Sequence, residues 1–182
     1  MIGICVGHSR RGDEGAYSSG EYVVSEWDFN RDLARRISHL LYAPHKIYSD
    51  YKARSYTTGI KNVAREMKED GVTAAVELHF NSATPSAQGH EWLYWHSSVG
   101  GEKLANLFKN KMELAYPEMK SRGAKPRVPR QRGATFLRKT HCVAIIGEPF
   151  FGSNVDEWRK INDSRDKLAR MYSTALLEFA HG

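Results

Sequence analysis

Residues 77–82, ELHFNS, close a mostly apolar run (72–78) on His79, with Asn81 and Ser82 just beyond it. Two other apolar runs end in the same manner. Residues 1–7 lead into His8 within VGHSRRGDEGA, and residues 143–147 lead into Glu148 within AIIGEPFFGSN. A fourth ionisable residue, Glu26, opens a helical pattern after the loop that begins at His8. Imidazole nitrogen and carboxylate oxygen are ligands of catalytic zinc, which takes three protein ligands and keeps one position for water. The metal lowers the pKa of that water to about 7 and so provides a nucleophile at neutral pH. A further carboxylate, off the metal, can take the proton and pass it to a leaving group. Two imidazoles and two carboxylates meet that need without a local HExxH pair. Each residue also has a plainer reading: His79 as a surface histidine at a loop start, and Glu26 as a helix-start carboxylate favoured by the helix dipole. Glu148 would then be a buried carboxylate paired with an arginine, Arg138 being a candidate.

The elements that must position these residues alternate between strand and helix. Residues 1–7 read as a buried strand. Ser25 is an N-cap for a helix over 26–42, with Phe29, Leu33, Ile37, Leu40 and Leu41 at helical spacing. Residues 46–49 read as a brief strand. Thr57 or Thr58 caps a second helix, which buries Ile60, Val63, Ala64 and Met67 and stops at Gly71. The strand at 72–78 has an apolar face (Val72, Ala74, Val76, Leu78) and a second face that turns polar at Glu77 and His79. Glu77 reads as a structural carboxylate. In the strand at 89–96, Trp92, Tyr94 and His96 alternate with Glu91, Leu93 and Trp95. The aromatics read as core or, for one of them, as the wall of a sugar groove. A helix at 101–115 follows, then strands at 135–137 and 143–147. Helices from about 154 to 161 and over 164–180 end the chain. This alternation gives an α/β sandwich, a single domain with a mixed, mainly parallel twisted sheet covered by helices on both faces. Ligands in such sheets lie at the carboxyl ends of the strands, where His8, His79 and Glu148 fall.

Composition narrows the class of partner. The chain has 182 residues, enough for one domain with its own core. No apolar run nears the roughly 20 residues of a membrane helix, so no membrane insertion is expected. The N-terminus lacks the basic region of a signal peptide. Cys5 and Cys142 lie in apolar segments and read as small hydrophobes, with no CxxC pair for a thiolate metal site. The net charge of +6 points to an anionic partner. Much of it sits in residues 117–140, where Lys120, Arg122, Lys125, Arg127, Arg130, Arg132, Arg138 and Lys139 face only Glu118. Pro126 and Pro129 oppose a helix there, and the segment reads as a basic loop, either solvated and unpartnered or facing an acidic polymer.

VGHSRRGDEGA, SEWDFNRDLARRI, VELHFNS, GHEWLYW and AIIGEPFFGSN, in this order, resemble the motifs of the zinc-dependent N-acetylmuramoyl-L-alanine amidases of the type-3 family, peptidoglycan hydrolases of bacteria and phages. The resemblance runs from about residue 1 to 180. It implies one Zn²⁺ held by His8, Glu26 and His79, with Glu148 as catalytic acid/base. Asn81, Arg10, Arg11 and Arg138 follow as candidate substrate-binding residues. The first motif departs from the family's usual GHGG, because Ser9, Arg10 and Arg11 intervene and set two cations beside the site. Glu14 and Glu21 lie in the same loop, but Glu26 sits in the matching SEWDFN. The implied reaction is hydrolysis of the amide between N-acetylmuramic acid and L-alanine. The implied partner is peptidoglycan rather than nucleic acid, acted on by a monomer. Residues 1–182 form one catalytic domain in this reading, with no wall-binding module. The lack of a visible signal peptide suits a phage endolysin held in the host cytoplasm until its release to the cell wall, or a bacterial enzyme whose leader has been removed. Two rival readings share the residues: a zinc peptidase or carboxypeptidase cutting within the stem peptide, and a non-catalytic peptidoglycan-binding domain.

Overall fold

A computed structural model describes residues 1–10, 12–49 and 56–182. Six strands form one sheet: β1 (Ile2–Val6), β2 (His45–Tyr48), β3 (Ala74–Leu78), β4 (His90–Trp95), β5 (Ser121–Arg127) and β6 (Val143–Glu148), in the spatial order β2-β1-β3-β6-β4-β5. β2, β1, β3 and β6 run parallel. β4 is antiparallel to β6, and β5 runs parallel to β4. The sheet is therefore mixed and mostly parallel. The carboxyl ends of β1, β3 and β6 lie side by side, and the antiparallel β4 brings its amino end to the same edge.

Helices cover both faces. α1 (Glu26–Leu40), α3 (Val99–Ala115), α5 (Val155–Asp163) and α6 (Arg165–His181) join the larger core cluster, packing on Ile4, Val6, Val76, Leu78, Trp92 and Ile145. α2 (Tyr56–Glu69) and α4 (Ala134–Lys139) cover the other face, with Ile60, Val63, Met67, Phe136 and Leu137 on Cys5, Ala75, Leu93, Ala144 and Ile146. The alternation expected for β4 holds, since Trp92 and Tyr94 enter one cluster and Leu93 with Trp95 the other. β3 is buried on both faces even at Glu77. Ser25 caps α1 by accepting the Asp28 N–H at 3.1 Å. Leu40 departs from the expected stripe and is exposed, while Leu41 completes it. Thr57 and Thr58 lie inside the first turn of α2, not at its cap, because that helix begins at Tyr56.

Two expectations fail in the basic segment. Residues 121–127 are a strand, not a loop. Pro126 excludes a helix but not an edge strand, whose outer N–H groups need no partner, and β5 is an edge. Residues 135–137 belong to α4, not to a strand. β6 is already paired on both sides, by β3 and β4, so no ladder is open to them. A helix instead buries Ala134, Phe136 and Leu137 against the sheet.

Candidate active site

β1 ends at Val6, and the chain turns at once. Gly7 has no room for a side chain, since a Cβ there would lie 2.4 Å from His79 Cε1. This close approach lets the ends of β1 and β3 bring His8 and His79 together, with ring centroids 5.0 Å apart. His8 adopts a left-handed backbone (φ 66°), uncommon for a side chain with a Cβ. Its Nδ1 is 2.9 Å from Asp13 Oδ1, which fixes the ring. The loop returns through Gly15 (φ 77°), where a Cβ would meet Glu26 Oε2 at 2.7 Å. Glu26 thus enters the site from the first turn of α1.

Glu26 is fully buried. Its Oε1 lies 2.8 Å from His79 Nδ1 and accepts the Phe80 N–H at 3.1 Å; its Oε2 lies 3.3 Å from His8 Nε2 and accepts the Ala16 N–H. Burial alone would raise its pKa, but His79 and His8 outweigh that and hold the carboxyl well below the usual range. Burial likewise opposes charge on both histidines, and it is overcome at His8 by Glu26 and at His79 by Glu26 and Glu77, so both pKa values are raised.

One donor atom from each of His8, Glu26 and His79 lies within 4.8 Å of the other two. A tetrahedral ion with bonds of 2.0–2.1 Å has ligand-to-ligand edges of about 3.3–3.4 Å, and the His8 Nε2 to Glu26 Oε2 separation of 3.3 Å fits that spacing. His8 Nε2 is buried with no hydrogen bond among the described residues, as expected of a nitrogen facing a metal position. Borderline nitrogen and oxygen donors of this kind suit a divalent transition ion. Glu14, half-buried, accepts the Tyr17 hydroxyl, and Glu21 is exposed; neither joins the cluster.

Glu148 closes β6 and faces the same cavity, of about 430 Å³, which His8, His79, Asn81, Glu91, Arg127, Arg132 and Ile146 help to line. It is 7% exposed, and its Oε2 is buried with no hydrogen bond among the described residues. Burial pushes its pKa up to about 7; the charge of Glu26 adds to this, while His79 and Arg132 pull the other way. A carboxyl group poised near neutrality beside a buried imidazole–carboxylate cluster is suited to taking and returning a proton.

The chain belongs to the N-acetylmuramoyl-L-alanine amidase family. A family model of that description, the type-3 amidases, matches residues 2–178. The fold agrees. An N-acetylmuramoyl-L-alanine amidase from Clostridium difficile 630 superposes with a TM-score of 0.82 at 21% identity, over 100% of this chain and 96% of that one. The catalytic domain of the amidase CwlV from Bacillus (Paenibacillus) polymyxa var. colistinus gives 0.81 at 18% identity, over 99% and 98%. The catalytic domain of an endolysin targeting Clostridia difficile gives 0.79 at 22% identity, over 97% and 96%. No curated protein matches the chain in sequence. The amidase is thus a peptidoglycan hydrolase acting on the bond between N-acetylmuramic acid and L-alanine.

The remaining candidate residues divide. Asn81 lines the cavity, but its amide donates to Glu91 Oε1 at 3.0 Å rather than to His8 or His79. Arg10 is exposed and does not line the cavity. Arg11 lies outside the described residues. Arg138 is exposed on α4 and also lies off the cavity; the arginine whose charge reaches Glu148 is Arg132. Sequence reasoning passed over Asp13 and Glu91 as site residues, and took Arg127 and Arg132 only as part of a basic loop that attracts the wall polymer and its stem carboxylates. Glu91 had a signal: it is the carboxylate on the otherwise apolar Leu93 face of β4. The arginines had only their place in a basic segment.

Proposed function

We propose that this amidase is zinc-dependent, that His8, Glu26 and His79 hold the ion, and that Glu148 is the catalytic acid/base. The observation that carries the reading is the convergence of three donor atoms within 4.8 Å on one wall of the cavity that Glu148 also lines. The family is generally zinc-dependent, which supports zinc over other divalent ions. When bound, zinc supplies a nucleophilic water at neutral pH and polarises the scissile carbonyl. The residues of the chain do the rest. Asp13 orients His8 through Nδ1 and leaves Nε2 to the ion. The Ala16 and Phe80 N–H groups fix the Glu26 carboxylate so that it presents one oxygen toward each histidine. Glu148, whose Oε2 has no hydrogen bond among the described residues and which is protonatable near neutral pH, takes a proton from the attacking water and returns it to the departing alanine amine.

A role in phage-directed lysis of the host wall belongs to the same reading. It is supported by the fold shared with an endolysin catalytic domain and by the net charge of +6, which favours an anionic wall polymer.

The test is mass spectrometry of purified peptidoglycan digested with and without a chelator. Free peptides beginning with L-alanine, lost on chelation and restored by zinc, are expected. Peptides shortened while still attached to sugar would move the cut into the stem. Unchanged products under chelation would remove the metal from the reaction.

A further inference from the structure

β5 carries three cations, of which Arg127 lines the catalytic cavity. Leu93 pairs with Lys125 and Trp95 with Arg127, so both cations share the face of Leu93, on the cavity side. Between the pairs His90–Ser121 and Trp92–Ala124 the register shifts by one residue. Gly123, with φ 87°, absorbs that bulge, and Arg122 also reaches the Glu91 carboxylate.

Glu91 gathers these side chains. It is 7% exposed and lies directly across the antiparallel ladder from Glu148. Lys125 Nζ is 2.5 Å and Arg122 Nε 3.2 Å from its Oε2, and Asn81 donates to its Oε1. Burial would raise its pKa, but Lys125 and Arg122 lower it, so Glu91 is a fixed anion. Arg122 is further committed, to the Gln88 carbonyl and, at 5.0 Å, to the Phe151 ring. Arg127 stands apart. Its Nη2 is 3.9 Å from Glu91 Oε1, too long for a hydrogen bond, and no hydrogen bond from its guanidinium is seen among the described residues. Arg132 lines the same cavity and has no ion pair among the described residues. The turn between them is fixed by Gln131, whose Oε1 accepts the Val128 N–H at 3.0 Å, and by Arg130 with φ 73°.

Three cations around one carboxylate leave two positive charges in excess, and Arg132 adds another at the cavity wall. Two guanidinium forks that make no hydrogen bond among the described residues line one cavity and match a carboxylate, which each can bind through paired N–H groups. Opposed residues of an antiparallel pair are about 5 Å apart, so Glu91, whose carboxylate Arg127 Nη2 approaches to 3.9 Å, is one strand spacing from Glu148. An extended peptide advances roughly 3.5 Å per residue, which puts the second or third residue of a bound stem here.

We propose that Arg127 and Arg132 form a subsite for a free carboxylate of the stem peptide, one or two residues beyond the scissile amide, and that Glu91 holds Arg127's strand in place for it. The inference rests on the amidase reading and adds a substrate preference to it: the enzyme selects stems whose carboxylates are free over stems in which they are amidated.

The experiment uses synthetic muropeptides with identical stems whose second- or third-residue carboxylate is either free or a carboxamide. kcat and KM are measured for the zinc-loaded wild type, Arg127→Gln, Arg132→Gln and, as a cation off the cavity, Arg138→Gln. In the wild type, amidation at one of the two positions is expected to lower kcat/KM about 10- to 100-fold, mostly through KM, the worth of one charge-assisted hydrogen-bonded contact. Arg127→Gln and Arg132→Gln should lose the preference, read as the ratio of kcat/KM for free over amidated stem within each variant, while Arg138→Gln keeps it. Equal cleavage of free and amidated stems at both positions by the wild type would overturn the subsite and leave the amidase standing. So would a preference that survives in Arg127→Gln and Arg132→Gln. Failure to cleave any of these substrates at the sugar–alanine amide would instead overturn the amidase reading, and the subsite with it.

Discussion

Replacing Gly15 with alanine tests whether the loop after β1 builds the proposed metal site or merely passes it. Gly12 and Gly15 both have left-handed backbones, at φ 85° and 77°. For an alanine, that conformation costs about 1–2 kcal/mol at either position. At Gly12 the added Cβ meets nothing within 4 Å among the described residues. At Gly15 it would lie 2.7 Å from Glu26 Oε2, 2.7 Å from His8 Cδ2 and 2.8 Å from Glu26 Cβ. Those atoms must retreat by roughly 0.7 Å to reach ordinary van der Waals contact. Glu26 cannot do so freely, because its oxygens are tied to Ala16 N, Phe80 N and His79 Nδ1 at 2.8–3.1 Å. Metal sites tolerate about 0.2 Å in ligand distance. Gly15→Ala is therefore expected to lose at least the roughly 10- to 100-fold in zinc affinity typical of a disturbed ligand shell. Gly12→Ala should bind zinc as the wild type does. In the metal-free proteins, Gly12→Ala should melt lower by roughly 2–4 °C per kcal/mol for a chain of this size, and Gly15→Ala lower still. Competition with a chromophoric chelator measures the affinity, and thermal unfolding the stability. Wild-type zinc affinity in Gly15→Ala would refute the reasoning, because the packing that brings Glu26 to the histidines would then not depend on that glycine.

Other outcomes can be checked alongside. Glu148→Gln should lower kcat by roughly 10²–10⁴, the range for loss of a general acid/base, while zinc affinity measured by the same competition stays at the wild-type level. His90 is buried beneath Trp92, whose Nε1–H donates to its Nδ1, and burial lowers its pKa to about 4 from 6.5. The unfolded chain therefore binds this proton more readily. The stability from neutral His90 is complete above about pH 6.5 and is lost as pH falls toward 4, at about 1.4 kcal/mol per pH unit and up to about 3 kcal/mol in all. Urea midpoints between pH 7 and 4 should show a shallower decline in His90→Gln than in the wild type. Glu157 accepts the buried Gly89 N–H at 2.7 Å and the Phe151 N–H at 2.8 Å, joining the start of β4 to the loop after Glu148. Glu157→Ala should cost about 2–4 kcal/mol in denaturant unfolding by stranding both donors, with Glu157→Gln between it and the wild type.

Much of the site was legible because its residues end local patterns. A strand reads from four to six residues, and the polar group that ends it reads with it; His8, His79 and Glu148 were found in this way. Glu26 was legible as the first residue after a good N-cap, Ser25. Asp13, Glu91 and the arginines were less so, because their roles depend on which strands become neighbours. Nothing local says that β4 runs antiparallel beside β6, and only that pairing sets Glu91 opposite Glu148. β5 was missed for a related reason: Pro126 is tolerable only on an edge, and which strand is an edge is a property of the whole sheet.

The sequence by itself determined the class of fold and the run of most elements, and it pointed to four candidate residues whose metal and acid/base roles came from the family resemblance. Hydrophobic periodicity and capping are short-range, and the chemistry of a side chain travels with its identity. Tertiary structure decided which carboxylates are isolated and which are matched. Glu148 and Glu91 are alike in sequence and almost equally buried. One is pushed up to about 7 by burial, and the other is lowered by Lys125 and Arg122. Charge acts through space over a few ångströms, and the side chains that share that space are brought there by strand order.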